Sequence, residues 1–132
     1  MNVAVIGAGS WGMTLAIRLL KNGHDVEVWF YLENDFNQAR EKAELPDYLP
    51  GITLPDDLKF TMDLEACVQN KDLILVAIPS HTVGFTMQKL LGKIAASTII
   101  VNVAKGIEND TLRTMSQVIS NALPDHPIGN IA

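Results

Sequence analysis

Gly7, Gly9 and Gly12 fall within Gly7-Ala8-Gly9-Ser10-Trp11-Gly12, a G-x-G-x-x-G spacing. Before it runs Val3-Ala4-Val5-Ile6, unbroken and β-branched in character, and after it Met13, Leu15, Ala16, Leu19 and Leu20 recur at helical spacing. A buried strand, a glycine turn and a helix, in that order, form the context in which this spacing binds a dinucleotide. Gly7 permits the tight turn, Gly9 lets the backbone approach a pyrophosphate, and Gly12 lets the helix pack closely on the strand. The amides near Ser10 and Trp11 then point at the phosphates, aided by the positive end of the helix dipole. The same residues also suit a turn that merely joins strand to helix; the flanking context weighs for the ligand.

Other candidates are less specific. An acid about 20 residues downstream, at the end of the second strand, would hold the adenine ribose hydroxyls of NAD. That strand instead ends Trp29-Phe30-Tyr31-Leu32, with Glu33 just beyond and no Arg beside it to pair with a 2′-phosphate. The sequence therefore favours neither NAD nor NADP. Phe30 and Tyr31 suit contact with adenine and suit packing equally well. Lys105 follows a β-rich run and precedes Gly106, which puts an ammonium at the carboxyl edge of the sheet, where open α/β folds bind ligands. A solvated loop lysine has the same surroundings. Ile78-Pro79-Ser80 ends the preceding strand at the same edge, so its backbone, Pro79 included, and Ser80 suit lining the groove, while a helix cap is the plainer role for Ser80. His24, His81 and His126 make no metal-ligand spacing with Cys67. His24 is expected in a turn, His81 on a helix surface and His126 exposed. Cys67, beside Leu64 and Val68, reads as a buried apolar position, because no basic neighbour would stabilise a thiolate.

These residues need a scaffold of alternating elements. Strands are expected at residues 3–6, 25–30, 58–61, 73–78 and 98–103. Helices are expected after the glycine turn up to the stop at Asn22-Gly23, from an Asn34 cap to Lys42, over 64–69 behind an Asp63 cap, from Ser80 to Ile94, and from Thr111 to Leu123. Pro46, Pro50, Pro55 and Gly51 make residues 44–57 a loop. The alternation predicts a doubly wound α/β parallel sheet, a Rossmann fold in a single domain with order 3-2-1-4-5. Residues 127–132 look like the entry to a sixth strand that does not arrive, as if the chain were cut at a domain edge.

Composition narrows the partners. The chain has 132 residues, 48% of them hydrophobic, and 15 acids against 10 Lys and Arg give a net charge of −5. About two thirds of the surface of such a chain is buried on folding, enough for a core without staples. Scattered basic residues and an acidic balance argue against nucleic acid. No apolar run approaches the roughly 18 residues of a membrane span, and one Cys forms no internal disulfide, so a cytoplasmic location is expected.

Four segments together, V-A-V-I-G-A-G-S-W-G, D-Y-L-P-G-I-T-L-P-D-D-L, I-P-S-H and V-A-K-G-I-E, resemble bacterial NAD(P)-dependent glycerol-3-phosphate dehydrogenase. The resemblance covers essentially the whole chain and only the amino-terminal, cofactor-binding domain of that family. It implies NAD or NADP as cofactor and hydride exchange between NAD(P)H and dihydroxyacetone phosphate, yielding sn-glycerol 3-phosphate for phospholipid synthesis. By the same resemblance, Ser10 and Trp11 contact the pyrophosphate, Tyr31 the adenine-ribose end, and Tyr48 a further part of the cofactor. Lys105 matches a lysine that touches both cofactor and substrate, a role suited to a compact cation with three donors. The departures are Phe30-Tyr31-Leu32, where relatives often carry Arg or His, and Met13-Thr14-Leu15, where smaller residues are usual. The resemblance further implies a homodimer of the full-length enzyme. It places the general acid/base lysine in a following helical domain, so residues 1–132 alone are expected to bind cofactor without turnover. Two rival readings are a 3-hydroxyacid or phosphogluconate-type dehydrogenase, which shares the glycine turn, and a stand-alone nicotinamide-binding redox sensor.

Overall fold

A computed structural model describes residues 1–131. Six strands, β1 (Asn2–Ile6), β2 (Asp25–Trp29), β3 (Lys59–Thr61), β4 (Leu73–Val76), β5 (Ile99–Asn102) and β6 (Ile128–Asn130), alternate with helices. The helices are α1 (Ser10–Lys21), α2 (Glu33–Lys42), α3 (Leu64–Cys67), α4 (Ser80–Gln88) and α5 (Met115–Ala122). The strands form one sheet in the order β3-β2-β1-β4-β5-β6, and each neighbouring pair is parallel. This is the doubly wound arrangement that the alternation predicts.

The unbroken apolar runs follow from burial on both faces. In β1, Val3 and Val5 pack with Met13 and Ala16 of α1, Ala39 of α2, and Val26 and Val28 of β2. Ala4 and Ile6 face the other way, into a core with Cys67 of α3, Val83 and Met87 of α4, and Ile119 of α5. Cys67 is fully buried, and that burial pushes its thiol up to about 12. Cys67 and Val68 are thus core, with Leu64 partly buried against them.

The ends of elements depart from the expected pattern wherever a cap or a turn decides them. The sixth strand does arrive: β6 pairs with β5, Ile100 opposite Ile128 and Asn102 opposite Asn130, while Ala132 lies outside the described residues. Helix α2 starts at Glu33 behind Leu32, with no side-chain cap, so Asn34 lies inside it. Ser80 is the first residue of α4, and Pro79 holds the cap position with φ −54°. That helix ends at Gln88 and not near Ile94, because Leu90, Leu91 and Lys93 donate to carbonyls three residues back and Gly92 turns the chain at φ +77°. Helix α5 begins four residues after Thr111, behind a capping box between Thr114 and Gln117. Ahead of it Leu112 sits in the left-handed region and Ile107 bridges to Thr114. The Asp63 cap on Ala66 N–H stands as expected. His126 is half-buried rather than exposed, and its Nδ1 has no partner. No helix among the described residues is long and apolar enough to cross a membrane.

Candidate functional site

The carboxyl ends of β1, β2, β4 and β5 open onto one cleft of about 710 Å³, a size typical of small-molecule sites. Its floor is the glycine turn. Gly7 adopts φ +120°, and a Cβ there would meet the Ala77 carbonyl oxygen at 2.5 Å. Gly12 is buried behind the turn, where a Cβ would run into the Gly7 carbonyl oxygen and stand 3.2 Å from the Ala77 Cβ. Both glycines are thus required by the protein's own backbone. Gly9 differs: its φ is an ordinary −76° and nothing lies within 4 Å of a Cβ built on it.

Helix α1 points its amino terminus at this space. Its first intrahelical bond runs from Met13 N–H to Gly9 C=O at 3.0 Å, which leaves the amides of Ser10, Trp11 and Gly12 without intrahelical acceptors. Gly9 supplies no side-chain cap, and the first turn carries no acid. The positive end of the helix therefore faces the cleft uncompensated. Ser10 Oγ donates to the Tyr48 carbonyl at 2.8 Å, so its hydroxyl is engaged by the protein.

Tyr48 comes from the proline-rich loop, which Leu45 and Leu54 anchor by burying their side chains. Its hydroxyl donates to Asp35 Oδ2 at 2.9 Å. That bond, burial, and the charges of Asp35 and Asp47 push the phenol above its ordinary range, in that order. Tyr31, 76% exposed, and Trp11, half exposed, stand at the mouth of the cleft.

The other wall is Ile78-Pro79 after β4 and Val103-Ala104-Lys105 after β5. Buried Asn102 fixes this second segment. Its Oδ1 accepts from Ala104 N–H at 3.0 Å, and its Nδ2 donates to the Ala104 carbonyl at 3.0 Å and to Asn130 Oδ1 at 2.7 Å. Gly106 follows at φ +123°, where a Cβ would crowd Ser80 Oγ at 3.1 Å. Lys105 is thereby held at the sheet edge, exposed. Asn102→Ala is expected to lower stability by about 2 kcal/mol, because it leaves Ala104 groups without partners. Urea unfolding checks the stability, and faster hydrogen exchange at Ala104 reports the loosened segment.

Of the predicted site residues, Gly7, Gly9, Ser10, Trp11, Tyr31, Tyr48, Pro79 and Lys105 all line this cleft. Gly12 supports it from behind. His81 is exposed on α4 and does not line it. Among the described residues, no group of three His, Cys, Asp or Glu could hold a metal. Asp35, which lines the cleft, and Asn102, which holds Ala104 at its edge, are positions that the sequence reading missed.

The model of the family described as NAD-dependent glycerol-3-phosphate dehydrogenase N-terminus matches residues 2–132. A relative from Agathobacter rectalis, named glycerol-3-phosphate dehydrogenase (NAD(P)+), is 43% identical over 122 residues, 92% of this chain and 36% of its own length. A relative of the same name from Syntrophotalea carbinolica is 41% identical over 132 residues, all of this chain and 40% of its own length. The crystal structure of glycerol-3-phosphate dehydrogenase from Coxiella burnetii superposes with a TM-score of 0.90 at 29% identity, covering 98% of this chain and 39% of that one. The chain thus spans about two fifths of the length of these relatives. With the whole of the fold and the glycine-turn cleft inside the matched region, the chain belongs to the family of NAD-dependent glycerol-3-phosphate dehydrogenase amino-terminal domains.

Proposed function

We propose that the cleft holds a nicotinamide dinucleotide along the carboxyl edge of the sheet and presents it for hydride exchange between NAD(P)H and dihydroxyacetone phosphate. The observation that carries this reading is Gly9. No neighbour in the protein requires a glycine there, whereas a pyrophosphate seated on the free amides of Ser10 and Trp11 does. Gly7 and Gly12 set the turn that brings those amides to the cleft. Tyr31 and Tyr48 border the adenosine half, and Pro79 and Lys105 the nicotinamide half.

When bound, the cofactor supplies or accepts the hydride. Among the described residues that line the cleft, Lys105 is the one cation. Exposed and held at the β5 end, it is placed to receive the substrate's phosphate or hydroxyl groups as well as the cofactor. Hydride exchange also needs a proton donor within hydrogen-bond reach of the substrate carbonyl, and one wall of a site does not enclose both reactants. We assign that donor to the part of the relatives' length beyond the matched region. Residues 1–132 then act as one cofactor-binding domain.

Calorimetric titration with NADH, alongside absorbance at the nicotinamide band with dihydroxyacetone phosphate present, tests the reading. Saturable one-to-one binding is expected, with no consumption of NADH by these 132 residues alone. Absence of binding overturns the cofactor assignment. Turnover overturns the assignment of the proton donor to a following segment.

A further inference from the structure

Resting on the dinucleotide reading above, we propose that Asp35, held in place by Tyr48, makes this site selective for NAD(H) over NADP(H). In open α/β folds the adenine ribose lies over the carboxyl end of the second strand. The cleft there is bordered by Phe30, Tyr31 and Leu32, none of them charged, and by the carboxylate of Asp35. Asp35 comes from the first turn of α2, beyond the strand end where sequence reading looks for an acid.

The carboxylate is fixed. Asp35 is half-buried, and its Oδ2 accepts the Tyr48 hydroxyl at 2.9 Å. Tyr48 is tied in turn to the glycine turn through its carbonyl, which accepts from Ser10 Oγ at 2.8 Å. Asp35 Oδ1 is left to accept from a ribose hydroxyl. A 2′-phosphate in the same place brings close to two negative charges against a carboxylate held there by Tyr48.

Among the described residues, none of those lining this end of the cleft is a cation. Lys105 borders the cleft beyond β5, three strand positions from β2, or about 14 Å at the usual spacing. The Arg40 guanidinium lies over the Phe36 ring at 5.2 Å, in the last turn of α2. The α2 amino terminus would favour an anion by itself, but Glu33 and Asp35 already occupy its first turn.

The test is parallel calorimetric titration with NADH and NADPH at one ionic strength, for the wild type and for Asp35→Asn, which keeps an acceptor for Tyr48 and removes the charge. The wild type is expected to prefer NADH at least tenfold. Asp35→Asn is expected to shrink that preference at least fivefold, chiefly by tightening NADPH. Raising salt from low to high is expected to shrink the wild-type preference as well, a readout that does not depend on the variant folding. Equal or tighter NADPH binding by the wild type overturns the proposal, as does a preference that neither the substitution nor salt moves. Binding of neither dinucleotide overturns the cofactor reading itself, whereas binding of both without preference overturns the discrimination alone.

Discussion

Gly9→Val is expected to weaken NADH binding at least a hundredfold while leaving the domain folded. The two halves of that statement have separate causes. The backbone at Gly9 is at φ −76°, which any L-residue adopts, and a Cβ there meets nothing within 4 Å. The folding cost is that of a poor residue at a helix cap, about 1 kcal/mol. The branched side chain, however, fills the space over the free amides of α1. A hundredfold loss corresponds to about 2.7 kcal/mol, a modest demand for removing close approach of two charged phosphates. Calorimetry and a thermal melt on the same sample check both halves. Wild-type affinity in the variant would mean that the pyrophosphate does not sit on this turn.

Gly12→Ala is expected to do the reverse: it damages the fold first and binding only in consequence. Intrinsic propensity alone favours the substitution, since alanine is better than glycine inside a helix by about 1 kcal/mol. The sterics oppose it more strongly. The added Cβ runs into the Gly7 carbonyl oxygen and crowds the Ala77 Cβ at 3.2 Å. The first is backbone, so no rotamer change relieves the clash, and overpacking of this kind costs about 3 kcal/mol. The net loss of about 2 kcal/mol should lower Tm by roughly 6–10 °C for a domain of this size. A variant as stable as the wild type would mean that α1 does not approach β1 as closely as the Gly7–Gly12 contact requires.

Sequence pattern made much of this site legible because much of it is local. The glycine turn, the runs buried on both faces and the ends of β4 and β5 lie contiguous in the chain, so Gly7, Gly9, Pro79 and Lys105 were placed without tertiary information. Asp35 was not, because it reaches the cleft from a helix that starts at Glu33 without a capping side chain. The cap signal, Asn34, pointed two residues past the observed cap at Leu32. A search for an acid on the first turn after the strand, rather than at its end, would have found it. Asn102 carries no local signal, because its side chain is fixed in part by Asn130, 28 residues on. The same contact accompanies β6, a three-residue strand with a glycine in its middle, of which the sequence showed only an entry because so short a run offers no alternation to complete it.

The sheet order also has a consequence for how the chain is made. β1, the first of these six strands to be synthesised, lies between β2 and β4, and Val3 has its β4 partner in Leu73. About 70 residues must follow before that second edge can be covered, roughly 4–14 s at ordinary rates of translation. Through that interval Val3, Ala4, Val5 and Ile6 present an unpaired apolar edge. Nascent chains whose Leu73–Val76 segment has not yet emerged from the ribosome should therefore remain bound to holdase chaperones, and those in which it has emerged should begin to escape them.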